Sequence, residues 1–159
     1  MRFVKGVAAS IAAASMLLSV PVLAVPGVSS SVPGMGQAEK LRRLDIMLMV
    51  TGLRCRTTKD NFNAEYGRFT TAHLGTLNAA SRTLKADYAK RYGAVGANRA
   101  LDKLSVQMAN QYGQGHPWLS CGQLKQVAGS LAQMRGVEPL VAAADEVLDS
   151  GPRRLAWLR

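Results

Sequence analysis

Two cysteines set the strongest constraint on what this chain can fold into. Cys55 and Cys121 are the only pair in 159 residues, and the chain opens with a segment that reads as an export signal. MRFVK supplies Arg2 and Lys5 as a positive start, and GVAASIAAASMLLSVPVLA follows without a charge. The run ends in Val22-Leu23-Ala24, the small-x-small pattern read by signal peptidase, which places cleavage after Ala24. A retained membrane anchor is the competing reading, because the run is just long enough to span a bilayer. Pro21 and the dominance of alanine and serine weigh against it, and no cysteine follows Ala24 to take a lipid. In an exported chain a single pair of cysteines is expected to form a disulfide. Closing a loop of about 67 residues contributes roughly 4 kcal/mol in the chain-entropy picture, a large share of a small domain's stability.

Cleavage leaves 135 residues, Val25 to Arg159, enough for one domain with one modest core. VPGVSSSVPGMGQ is rich in Pro, Gly and Ser and uncharged, so residues 25–37 read as a disordered leader. The folded part is expected over 38–150, followed by a basic tail over 151–159. The whole chain carries +10. Without Arg2 and Lys5, 18 basic side chains face 10 acidic ones, a charge of about +8. That excess favours anionic partners such as nucleic acid, lipid headgroups or cell-wall polymers, and says nothing about fold.

The periodicity of the mature chain is helical throughout. Alanine and leucine are abundant and no run alternates with the period of a strand. A first helix is expected from Gln37 to Arg56, with Leu41, Leu44, Leu48 and Val50 near one face. A second begins at TTKD, where Thr57 and Asp60 have capping-box spacing. Its stripe runs Phe62, Tyr66, Phe69, His73, Leu77, Ala80, Leu84, Tyr88, as one long helix or two with a kink near Gly75. GAVGAN reads as a loop. Leu101, Leu104, Met108 and Tyr112 mark a third helix, ended by GQGH. A fourth begins at Pro117, whose missing N–H costs nothing at a first helical position. It carries Trp118, Cys121, Leu124, Ala128, Leu131 and Met134, and Gly136 closes it. Leu140 to Leu148 form a fifth, stopped by SGP. The fold class is all-α, an irregular bundle of four to five helices with one disulfide.

QYGQGHPWLSCGQ, residues 111–123, concentrates the chain's unusual residues. The structural reading makes it a helix junction stapled by Cys55–Cys121. Gly113 and Gly115 allow a sharp reversal, Trp118 packs beside the bridge, and His116 caps a helix or faces solvent. The catalytic reading uses His116 and His73 as an acid–base pair around a phosphate, in a small secreted hydrolase. His73, however, falls on the apolar stripe between Phe69 and Leu77, where a histidine is more often a hydrogen-bonded core residue. A zinc site from Cys55, His73, His116 and Cys121 has suitable ligand types, but its spacings match no compact zinc module. Glu65 in AEYGRF stands on a helix like some glycosidase acids, without an evident second carboxylate or sugar cleft. No G-x-S-x-G, phosphate-binding loop, G-x-G-x-x-G after a strand or H-E-x-x-H is present, so no cofactor and no metal are expected.

Two basic groups are the candidate contacts. Arg54, Arg56 and Lys59 flank Cys55 and form a local anion patch. In the tail, Arg153 and Arg154 stand beside Trp157 and two leucines, a composition suited to an interfacial anchor on anionic lipid or to docking on the bundle.

The pattern LDIMLMVTGLRCR…NFNAEYGRF…HPWLSC resembles small exported helical proteins of Gram-negative bacteria that have no established activity. The resemblance spans Leu41 to Leu148, and its strongest marks are the two cysteine segments. Some such proteins carry an S-adenosylhomocysteine hydrolase label, which implies a nucleotide-binding α/β domain whose glycine-rich motif has no counterpart here. A looser similarity is to periplasmic acid-stress chaperones, also small, helical and held by one disulfide, though this chain differs in size and basic charge. Together with the export signal, the resemblance implies a periplasmic or secreted location in a Gram-negative bacterium. The favoured functional expectation is an exported non-catalytic helical protein that binds an anionic or apolar partner at the cell envelope. Such partners include an envelope polymer or membrane surface, with nucleic acid still open and no protein partner specified. The hydrolase centred on His116 and His73 is the alternative.

Overall fold

A computed structural model describes residues 32–148. The expected signal peptide, most of the expected leader, and the tail with Arg153, Arg154 and Trp157 lie outside the described residues. Within them the chain forms five helices and no strand: α1 (Met35–Cys55), α2 (Asn63–Ala72), α3 (Leu74–Tyr112), α4 (Cys121–Leu131) and α5 (Val137–Leu148). The all-α bundle with its disulfide is therefore as expected.

α1 is the centre of the bundle and packs against each of the other four helices. Its burial explains that position: Leu41, Leu44, Met47 and Leu48 are fully enclosed, and Thr51 and Gly52 extend the buried surface. The buried Thr51 hydroxyl donates to the Met47 carbonyl at 2.7 Å, so it adds no unpaired polar group. Gly52 lets the Phe62 ring approach, since a Cβ there would meet Asn63 Oδ1 at 3.2 Å and the ring at 3.5 Å. The helix starts at Met35 instead of Gln37, so the last residues assigned to a disordered leader are helical. The Gln37 side chain accepts from the Gly34 N–H at 3.1 Å and secures this earlier start.

Five further boundaries differ from the sequence reading, each for a local reason. TTKD does not open a helix. The Thr58 hydroxyl donates to the Cys55 carbonyl at 2.8 Å, closing α1, and Asn61 Oδ1 accepts from the Asn63 N–H at 3.0 Å ahead of α2. The kink expected at Gly75 falls at His73, where φ −115° and ψ 15° separate α2 from α3. GAVGAN is not a loop: its residues are helical except Gly93, at φ 70° and ψ 172°, which folds α3 back on itself. Tyr88 lies within the fields of Glu39 and Arg43, while the Arg43 guanidinium also donates to the Met108 sulfur at 3.5 Å. In a straight helix Tyr88 and Met108 would be about 30 Å apart. Both meet the same turn of α1, so the arms before and after Gly93 form a helical hairpin on its N-terminal half.

The fourth difference is at Pro117, which is exposed and precedes the helix. α4 begins at Cys121 behind Ser120, whose hydroxyl accepts from the Gln123 N–H at 3.3 Å. Gln123 Oε1 in turn accepts from the Ser120 N–H at 2.9 Å. This reciprocal capping box satisfies two helix-end donors, more than a proline at the first position offers. Further on, Gly136 (φ 92°) leads into α5 instead of closing α4, which ends at Leu131.

Candidate functional site

Cys55 in the last turn of α1 and Cys121 in the first turn of α4 are bonded, with Cα atoms 5.8 Å apart. Both sulfurs are consumed, which removes the thiolate ligands a zinc site would need. Around this staple the segment 113–120 reverses the chain. Gly115, at φ 111°, takes a conformation that side chains disfavour.

His116 holds the reversal in place. Its Nε2 bonds the Val147 carbonyl in the last turn of α5 at 3.0 Å. A carbonyl only accepts, so Nε2 carries the proton, and Nδ1 accepts from the Leu119 N–H at 3.2 Å. The ring stacks on Tyr112, with centroids 5.3 Å apart, and meets the Trp118 ring edge-on at 4.7 Å. Burial lowers the imidazole's proton affinity below its ordinary 6.5, opposed in part by the bond to Val147. Both ring nitrogens of the neutral form are thus engaged by the chain itself. Neither is left to move a proton for a substrate.

His73 is held in a comparable way. It is 5 % exposed, its Nε2 bonds the Leu131 carbonyl at the end of α4 at 2.7 Å, and its ring lies 5.3 Å from that of Phe69. Each histidine therefore bonds a carbonyl at a helix end, the Leu131 carbonyl also accepting from the Met134 N–H at 3.2 Å. They serve different helix ends, and the grooves described next contain neither.

The concave surface runs between α2 and α4. One depression of about 690 Å³ is lined by residues including Ala64, Gly67, Arg68, Gly129 and Ala132. A second, more polar one of about 590 Å³ shares Arg68 and Gly129 and adds Asp60, Glu65 and Lys125. Glu65 pairs with Arg68 at 3.3 Å. Asp60 lies at the start of α4, its carboxylate 3.5 Å from where a Gly122 Cβ would be, and the helix dipole favours its charge there. Both carboxylates are thus balanced by positive groups. The chemistry of this furrow is that of a paired polar surface.

Polar contacts on the α1 side escaped the sequence reading. The Tyr66 hydroxyl donates to Asp45 at 2.9 Å, Arg42 pairs with Asp45 at 3.4 Å, and Arg42 also reaches Ser105 at 3.3 Å. Burial raises the Asp45 carboxyl, and burial together with the Asp45 charge raises the Tyr66 phenol. Such a network ties α1, α2 and α3 together. Arg42–Asp45 is an i,i+3 pair, but the Tyr66–Asp45 and Arg42–Ser105 contacts span 21 and 63 residues, which no short-range spacing reports.

Of the predicted anion contacts, Arg54, Arg56 and Lys59 are all exposed at the C-terminal end of α1. Among the described residues none of the three has a carboxylate within ion-pair distance, whereas Arg42, Arg43, Arg68 and Arg91 each do. Leu53 (55 % exposed) and Met49 (42 % exposed) stand beside them, with Met49, Leu53 and Arg56 on one helical face. No family model, no curated protein and no solved structure matches this chain.

Proposed function

We propose that this chain is an exported, non-catalytic helical module that binds an anionic partner of the cell envelope through the C-terminal end of α1. The observation that carries the reading is the set of Arg54, Arg56 and Lys59, exposed next to exposed Leu53 and without a carboxylate partner among the described residues. The Cys55–Cys121 bond holds this end rigidly against α4, so little conformational freedom is lost on binding. A disulfide also fits an oxidising compartment, and no described helix is long and apolar enough to cross a membrane. The hydrolase alternative draws no support from His116 and His73, whose rings are taken up by backbone partners.

The test is binding to dextran sulfate, a polyanion without an apolar part, followed by anisotropy across a salt series. Affinity should fall steeply with salt, and Arg54→Glu/Arg56→Glu should weaken it by about ten-fold or more at low salt. Unchanged affinity in that variant refutes the assignment to this end of α1.

A further inference from the structure

The turn of the α3 hairpin exposes apolar side chains that the bundle does not use. Tyr92 is 59 % exposed and Val95 67 % exposed, on either side of Gly93. Residues 90–99 carry Lys90, Arg91 and Arg99 and no acid. Arg91 is paired with Asp87 on its own arm, whereas Lys90 and Arg99 have no ion-pair partner among the described residues. Asp102, one turn beyond Arg99, and Lys103 beside it offset one another. The shape is fixed by the backbone. Gly93 makes the fold-back, and a Cβ on Gly96 would meet the Tyr92 Cβ at 2.5 Å, so the two turns press closely together beneath the Tyr92 side chain.

We propose that the tip of this hairpin, residues 90–99, is a wedge that enters the headgroup layer of an anionic lipid surface. Tyr92 has an apolar ring and a polar end, the division suited to a membrane interface. Val95 supplies apolar area, and Lys90 and Arg99 meet lipid phosphates while their stems stay with the acyl boundary. Charge complementarity selects anionic lipid over a neutral surface. The proposal goes beyond the α1 patch, which lies at the other end of that helix, about 22 Å from the Glu39 turn against which the hairpin packs.

The probe is Val95→Cys carrying a nitrobenzoxadiazole dye, in the chain from Val25 onward. Both native cysteines are in the disulfide, so this thiol alone takes the label. A Gln133→Cys label on the far furrow is the control. Vesicles of equal parts phosphatidylglycerol and phosphatidylcholine should shift the dye at position 95 to the blue and brighten it several-fold. Pure phosphatidylcholine and the control label should give no such response. Lys90→Glu/Arg99→Glu should reduce partitioning by about ten-fold, with circular dichroism confirming the fold. An unchanged dye at position 95 while the protein sediments with vesicles overturns the proposal, because the contact then lies elsewhere. An equal response on neutral vesicles, no binding to either, or a response only to an added protein overturns it too. If Arg54→Glu/Arg56→Glu retains the vesicle response but still binds dextran sulfate normally, the α1 reading fails and the wedge stands.

Discussion

Replacing His116 with alanine separates a structural histidine from a catalytic one. The substitution removes the bond to Val147 at 3.0 Å and the acceptor for the Leu119 N–H at 3.2 Å. Each contributes about 1 kcal/mol. It also removes ring contacts with Tyr112 and Trp118, together worth about 1 kcal/mol or somewhat more. The expected loss is about 3 kcal/mol, or roughly 10 °C in Tm for a domain of this size. Urea unfolding at pH 7.5, with Pro117→Ala as a neighbouring control, measures it. The pH dependence adds an independent sign. Burial lowers the folded-state proton affinity of His116 below 6.5, so as pH falls past that value the unfolded chain takes the proton first. The stability due to His116 is therefore complete above pH 6.5 and declines on acidification, and the gap between wild type and His116→Ala should narrow by pH 5. A gap below about 0.5 kcal/mol refutes the role assigned to the ring. A gap that widens in acid refutes the neutral tautomer, because the α5 C-terminus would then be holding an imidazolium.

Three further outcomes follow from the packing. Cys55→Ser/Cys121→Ser should lose roughly 4 kcal/mol of stability, read as a lower urea midpoint that matches the reduced wild type. Gly93→Ala places a side chain at φ 70° and should cost about 1–2 kcal/mol by thermal melting; Gly67→Ala, with open space around its Cβ position, should be neutral or slightly stabilising. Ser120→Ala should cost about 1 kcal/mol through loss of the capping box, and an effect confined to Pro117→Ala would restore the proline start that the sequence suggested.

Helices and staple were legible because their signals are local or few. Leu41, Leu44 and Leu48 repeat at helical spacing, and a lone cysteine pair in an exported chain has one simple use. The boundaries went wrong where two local signals competed. Pro117 suggested a helix start, but Ser120 and Gln123 form the better cap three residues later. GAVGAN looked like a loop from its glycines, although residues on both sides of Gly93 stay helical and the break is confined to that one residue. His116 could be recognised as a helix-junction residue, yet its acceptor is a carbonyl 31 positions away. The Tyr66–Asp45 and Arg42–Ser105 contacts are hidden for the same reason. Exposure of Tyr92 and Val95 was also invisible, since it depends on where the hairpin stops touching α1.

The disulfide also decides how the molecule answers force. It joins Cys55 to Cys121 and so encloses α2, α3 and the reversal at His116 in one covalent ring, leaving most of α1, most of α4 and all of α5 outside. A pull on the two ends passes from α1 through the sulfurs into α4, and the ring between cysteines 66 positions apart carries no tension. Stretching the oxidised chain should therefore fall short of full extension by about 220 Å. Only reduction would release that length, so transit through a narrow pore has to precede bond formation, and once the bond closes the helical hairpin is mechanically sheltered from the rest of the chain.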